Sequence, residues 1–285
     1  MSETRPKFMI TGKTILIAHL GYPTETFKAP MIYNPWFAKH GVDAVVVPMG
    51  VKAEDYPSTL KALFKLTNIR GALITMPHKV STVGLVDEVS IAVRVAGSCN
   101  AVLKRPDGTL FGDIFDGLGF VRSLGHKGFK CAGARCLVVG NGGVGSAIAA
   151  SLGAAGVGAI SLYDVDAAAA ERLASRLRQN YPKIDVRITS NDPAGYDLVV
   201  NGTPLGMRPS DPLPIDPARL AASAFVGEVV MKTEITPLLR AARERGCPFQ
   251  VGSDMLYEMI PAYLDFFGFG AATSKELRAV GAVEY

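Results

Sequence analysis

The sequence predicts an α/β fold of two domains, and three observations predict it. Short β-branched runs alternate with helical segments through the first third of the chain. Residues 136–166 (CLVVGNGGVGSAIAASLGAAGVGAISLYDVD) read as strand, glycine turn, helix, second strand and terminal acid. The chain then ends in helical segments whose aromatic-rich face needs another surface to cover it. At 285 residues two domains are the expectation, each able to bury a core of its own.

Residues 14–20 (TILIAHL) form the first expected strand, and a loop runs through 21–30. Residues 31–40 have helical spacing and stop at Gly41. Strands at 44–48 (AVVVP) and 72–75 (ALIT) flank a helix at 56–67. Strands alternating with helices imply a parallel sheet. Met76-Pro77-His78-Lys79 sits just past the third strand, at the carboxyl end where such sheets place ligands. Arg105-Pro106-Asp107-Gly108 reads as a hairpin turn. Residues 110–117 (LFGDIFDG) run to the domain junction, and 119–124 form a linking helix.

The central segment has the layout of a dinucleotide-binding βαβ unit, the core of a Rossmann domain. In Gly140-Asn141-Gly142-Gly143-Val144-Gly145, Gly140 allows the sharp turn and Gly142 lets the backbone approach a pyrophosphate. Gly145 lets helix and strand pack closely, and the helix N-terminus offers free N–H groups to phosphates. No charge falls between Arg135 and Asp164, a length that could cross a membrane, but the glycine clusters and strand-like ends argue against that. A helix follows Asp166, then strands at 186–188, 197–201 and 225–231, and a helix capped by Thr236-Pro237. Residues 254–267 are helical, and Thr273 to Glu276 makes a capping-box start for a last helix.

Composition narrows the function classes. Hydrophobic residues make up 48% and charged residues 20%, as in an ordinary globular enzyme. The net charge of +4 is spread without a basic block, so no nucleic-acid or membrane partner is expected. Cys99, Cys131, Cys136 and Cys247 match neither zinc spacing nor a redox CxxC, so no metal is expected. With no signal peptide in MSETRPKFM, reduced thiols in a cytoplasm are the simpler reading.

Oxidising an alcohol with a nicotinamide sends hydride from carbon to the cofactor and the hydroxyl proton to a base. A lysine whose pKa burial lowers from about 10.4 can take that proton, and a carboxylate can hold it in place. Lys79 and Asp116 are the candidates, because both lie where the first domain faces the nucleotide unit; as plain solvated side chains they would have no such role. The runs TMPHK (75–79), AGSCN (96–100), GDIFDG (112–117), GNGGVG (140–145), NGTPLGM (201–207) and TPLL (236–239) recur in one order over nearly the whole chain. Together they resemble the shikimate dehydrogenase family, which includes quinate dehydrogenases.

That resemblance implies a substrate domain over 1–116, completed by C-terminal helices at 253–285. The Rossmann domain over 117–252 is then inserted between them, with the active site in the cleft. It implies that Lys79 is the acid–base lysine with Asp116 as partner, and that Thr75 and Asn100 contact substrate hydroxyls. Asn201, Thr203, Met207 and Val229 would border the cofactor, with Gly252 near its nicotinamide end.

The departures bear on specificity. Where NADP-using members carry an Asn-Arg-Thr type run, this chain has Asp164-Val165-Asp166, so NAD is expected rather than NADP. The Ser-x-Ser-Pro run that holds a substrate carboxylate is Phe27-Lys28-Ala29-Pro30 here. The usual asparagine before the lysine is Leu73, and the glutamine of the C-terminal helix aligns with Met259. Four polar contacts become apolar, so shikimate is expected to be a poor substrate unless Lys28, Thr24 or Thr26 takes its carboxylate.

The reading is therefore an NAD-dependent dehydrogenase acting on a cyclic hydroxylated alcohol or ketone related to shikimate or quinate, as a monomer or homodimer. The alternative is a catalytically silent nucleotide-binding regulator or sensor on the same fold. His78 could tune Lys79, and Tyr22, Tyr33 and Tyr257 could line a reshaped pocket; His19, His40 and His126 are given no role.

Overall fold

The computed structural model describes residues 9–281, apart from the Thr26 side chain. In order, the elements are β1 (Ile15–Gly21), α1 (Pro30–His40), β2 (Ala44–Gly50), α2 (Tyr56–Leu63), β3 (Ile69–Ile74), β4 (Glu88–Val89) and α3 (Ile91–Ala96). They continue with β5 (Ala101–Lys104), β6 (Leu110–Asp113), α4 (Asp116–His126), β7 (Arg135–Val139), α5 (Gly143–Ala154), β8 (Ala159–Tyr163) and α6 (Ala167–Asn180). The chain finishes with β9 (Asp185–Ile188), β10 (Leu198–Asn201), β11 (Phe225–Glu228), α7 (Pro237–Glu244), β12 (Phe249–Gln250), α8 (Gly252–Phe266) and α9 (Ser274–Val280).

Two six-stranded sheets result. The first runs β2-β1-β3-β5-β6-β4 and is mixed rather than wholly parallel. β1 pairs parallel with β2 and β3, while β5 pairs antiparallel with both β3 and β6. The reason is local: the tight turn at Arg105–Gly108, closed by the Gly108 amide donating to the Arg105 carbonyl, can only join antiparallel neighbours. The second sheet runs β12-β11-β10-β7-β8-β9 with every pairing parallel. Counted from β7, that is the 3-2-1-4-5-6 order of a doubly wound dinucleotide fold, with its switch point between β7 and β10.

The C-terminal helices fold back on the first sheet. Tyr33, Trp36 and Phe37 of α1 pack with Tyr263 and the following Phe267 in one buried cluster that also takes Leu277 of α9. Each such aromatic removes enough apolar surface to stabilise the fold by roughly 2–3 kcal/mol. Two hydrogen bonds fix the register: Arg70 Nη1 donates to the Phe267 carbonyl at 2.9 Å, and the Tyr263 hydroxyl donates to the Asn100 carbonyl at 3.1 Å.

α4 lies between the sheets' helices, packed against both α5 and α8. Glycine makes this approach possible. A Cβ at Gly117 would stand 2.0 Å from the Ala147 carbonyl oxygen, and one at Gly119 would stand 2.6 Å from that of Met255. Among the described residues, no helix is long and apolar enough to cross a membrane.

Candidate active site

The carboxyl ends of β1 and β3 face the glycine turn after β7 across a cavity of about 380 Å³. His78 explains how Lys79 is aimed into it. The His78 ring stacks on Tyr56 with centroids 3.9 Å apart, and its Nε2 bonds the Val51 carbonyl at 2.9 Å. That anchors residue 78 on the far side of the turn, away from Lys79, and the next side chain points into the cleft. Asp116, the first residue of α4, is buried at 2% exposure, and Lys79 Nζ donates to its Oδ2 at 2.5 Å. A buried carboxylate and ammonium are tolerable only as such a pair, because either alone would carry an uncompensated desolvation cost.

The pair abuts the nucleotide half. The Lys79 stem runs so close to Gly143 that a Cβ there would lie 3.1 Å from the Lys79 Cβ. Ser98 Oγ donates to the Gly143 carbonyl at 2.8 Å, tying the same helix start to the first sheet. α5 begins at Gly143 with no side chain capping it, and a Cβ at Gly142 would meet nothing within 4 Å. Free N–H groups beside open space at a helix N-terminus fit a dinucleotide's pyrophosphate. Gly140 and Gly145 serve the turn itself: Gly140 has φ of 90°, and a Cβ at Gly145 would collide with the Gly140 carbonyl.

Of the residues expected at the site, Lys79, Asp116, Thr75, Phe27, Ala29, Leu73 and Met259 line the cavity from the substrate side. Gly142, Gly143, Val144, Thr203, Met207 and Val229 line it from the nucleotide side. Others stand behind the wall. Asn100 Oδ1 accepts from the Phe115 amide at 3.0 Å, while its Nδ2 is buried with no partner among the described residues. Asn201 Oδ1 accepts from the amide and hydroxyl of Thr203, and its Nδ2 donates to Glu228, so it shapes the loop that presents Thr203. Gly252 sits against the Val230 carbonyl, 2.4 Å from where its Cβ would be, which is close packing at the start of α8. Tyr33 lines the cavity, whereas Tyr22 is exposed and the Tyr257 hydroxyl donates to the Gly281 carbonyl. Lys28 borders the cavity, Thr24 does not line it, and the Thr26 side chain lies outside the described residues.

Two functional groups escape sequence reasoning. His19 lines the cavity, buried at 7% exposure, with its ring stacked on Phe27. Burial, with the nearby Lys79 charge, pulls its pKa down to about 3, so it is neutral. Its one signal is a lone imidazole inside an otherwise apolar strand. Glu228 ends β11 earlier than the apolar run suggests. It is fully buried, and burial pushes its pKa up to about 7 against hydrogen bonds from the Val229 and Val230 amides, Thr236 and Asn201. Those bonds turn the chain out of the strand and set Val229 and Val230 against the cleft.

Comparisons with known proteins bear on the fold and the family. Residues 20–102 match the shikimate dehydrogenase substrate binding domain, and residues 121–179 match the ThiF family. A shikimate dehydrogenase (NADP(+)) of Rhodospirillum rubrum is 33% identical over 279 residues, covering 95% of this chain and 98% of the relative. The chain belongs to the shikimate dehydrogenase family. It is a shikimate/quinate dehydrogenase-like oxidoreductase. A Listeria monocytogenes shikimate 5-dehydrogenase solved with shikimate and NAD superposes with a TM-score of 0.85 at 26% identity, covering 95% of this chain and 97% of that one. The 5-ketofructose reductase of Gluconobacter sp. strain CHM43 superposes at 0.83 with 25% identity, covering 95% and 98%.

Family membership corrects the cofactor expectation. The curated relatives matched over nearly their full length are named for NADP(+), which favours NADP over NAD. The physical reason lies in Asp164. Its Oδ2 accepts from the Asn141 amide and its Oδ1 from the Asp166 amide. The carboxylate thus already braces the glycine turn against the end of β8, and its presence after the strand does not specify a ribose diol.

Proposed function

We propose that this family member catalyses reversible hydride transfer between NADP(H) and the secondary alcohol or ketone of a cyclic hydroxylated substrate. Residues of the first sheet, with α8 and α9, hold the substrate, and those of the second sheet, over 117–252, hold the cofactor. The observation that carries the reading is the buried Lys79–Asp116 pair, set on a cavity wall against the uncapped start of α5.

A bound nicotinamide supplies the hydride acceptor or donor. The chain supplies the rest. The N-terminal amides of α5 and the Thr203 loop orient the dinucleotide along one wall. Lys79 Nζ, as the neutral amine, takes the hydroxyl proton as the alcohol is oxidised, and the ammonium so formed returns it to the ketone oxygen in reverse. Asp116 Oδ2 holds Nζ in position and balances its charge when protonated. Thr75, on the cavity wall, offers a hydrogen bond to a further hydroxyl, and Asn100 behind the wall accepts from the Phe115 amide that leads into α4. The apolar walls from Phe27, Leu73 and Met259 exclude water from the reacting carbon.

The test is to mix the protein with NADP+ and a panel of hydroxylated ring alcohols and follow formation of reduced nicotinamide. Turnover on at least one of them is expected. Failure on the whole panel, with NADP+ still bound, would favour a silent sensor instead.

A further inference from the structure

The cleft contains polar groups that the acid–base pair leaves unused. In the parallel register of β1 on β3, His19 stands directly beside Leu73, the position where a family asparagine would be. The polar function lost at residue 73 is therefore present one strand over. The imidazole stacks on Phe27 at 4.1 Å between centroids, its Nδ1 lacks a hydrogen-bond partner among the described residues, and the buried Tyr33 hydroxyl on the same cavity lacks one too. Unpartnered polar atoms buried on residues that line a cavity are ones a ligand can satisfy.

The chemistry of these groups selects the ligand. His19 is neutral, because burial and the Lys79 charge oppose its protonation. A neutral imidazole offers one donor and one acceptor, and a tyrosine hydroxyl offers the same, which matches an alcohol or carbonyl group. A carboxylate accepts only, and is best met by two or more donors such as the hydroxyl pair replaced here by Phe27 and Ala29. Methionines extend the apolar wall: Met207, Met231, Met255 and Met259 all line the cavity. The remaining charged groups on it are Lys28, Lys232 and Glu25.

We propose that His19 is a specificity-determining residue whose imidazole, with the Tyr33 hydroxyl, binds an uncharged hydroxyl or carbonyl of the substrate. The natural substrate is then a polyhydroxylated alcohol or ketone without a carboxylate. This deepens the dehydrogenase reading above and rests on it. The Gluconobacter relative named for reducing 5-ketofructose acts on a compound of that uncharged class.

A matched pair tests it: shikimate, and the same ring with hydroxymethyl in place of the carboxylate. Steady-state kcat/KM with NADP+ and calorimetric Kd in its presence are measured for both. The uncharged ring should be preferred by about tenfold or more, the worth of one well-made hydrogen bond. His19→Leu should abolish that preference, and His19→Gln, which keeps a donor and an acceptor, should retain most of it. Preference for shikimate, or a preference unchanged in His19→Leu, would overturn the proposal. So would loss of tight shikimate binding in Lys28→Ala, which would assign a carboxylate to Lys28. Turnover of both rings without preference would sink the subsite and leave the dehydrogenase standing. A His19-dependent binding preference without turnover would keep the subsite and sink the dehydrogenase reading, and neither binding nor turnover would overturn both.

Discussion

Phe27, Ala29 and Leu73 share a wall of the cleft with Lys79, and they decide what can approach it. Restoring the two hydroxyls in Phe27→Ser/Ala29→Ser should raise kcat/KM on shikimate by about tenfold or more, since each bond to a carboxylate is charge-assisted. No gain in steady-state kinetics would refute this account of the substrate change. Two buried titratable groups, His19 on the cavity wall and Glu228 behind Val229, act oppositely on stability. His19 has a folded pKa of about 3 against 6.5 ordinarily. Between those values the unfolded chain binds the extra proton, so His19 makes stability fall as pH drops through that window. Glu228 has a folded pKa of about 7 against 4.5 ordinarily, so the native state holds a proton the unfolded state has lost. Stability therefore falls as pH rises through that range, by about 3 kcal/mol in all. Glu228→Gln should be more stabilising at about pH 8 than at about pH 5 in denaturant titrations, because its amide can donate to Thr236 Oγ without a charge. An equal effect at both pH values would contradict the assignment.

At the scale of elements, α4 carries Asp116 to Lys79 and depends on two glycines to reach it. Gly117→Ala should cost roughly 1–3 kcal/mol of stability, since its Cβ collides with the backbone of α5, and should lower kcat by displacing Asp116. Thermal melting and kinetics on the same variant check both halves. The turn after β7 makes a different demand. Asp164→Ala removes the acceptor of two backbone amides, so it should lower stability by about 1–2 kcal/mol without creating a new cofactor preference. A tenfold or larger swing between the two nicotinamide cofactors would contradict this.

Elements also show what was legible in the sequence. The βαβ unit was, because a glycine turn at a helix N-terminus needs glycine at fixed spacing, and β8 falls at 159–163 as the pattern predicts. The capping box at Thr273 is equally local, with Glu276 accepting from the Thr273 amide. His19 was not legible, because its meaning depends on Leu73, which only the β1–β3 register brings beside it. The role of Asp164 was misread for a related reason. Whether a strand-end carboxylate faces a ligand or braces its own turn depends on amides across the chain at Asn141 and Asp166. The two-residue strands β4 and β12 are too short to leave a pattern of their own.

For the molecule as a whole, two sheets converge their carboxyl edges on one cavity, and α4, with a contact to each side, spans them. Aromatic packing of α1 and α8, joined by Leu277 of α9, fixes the wall on the first-sheet side, while the doubly wound sheet fixes the opposite wall. What the arrangement achieves is the placement of a buried lysine amine beside the start of α5. Lys79→Ala tests that claim most directly, with kcat, KM and the NADP+ Kd measured on one preparation. The account predicts a loss in kcat of about a hundredfold or more, with KM and Kd changed only a few-fold. A variant that turns over at near the wild-type rate, or whose loss lies wholly in KM, would contradict it.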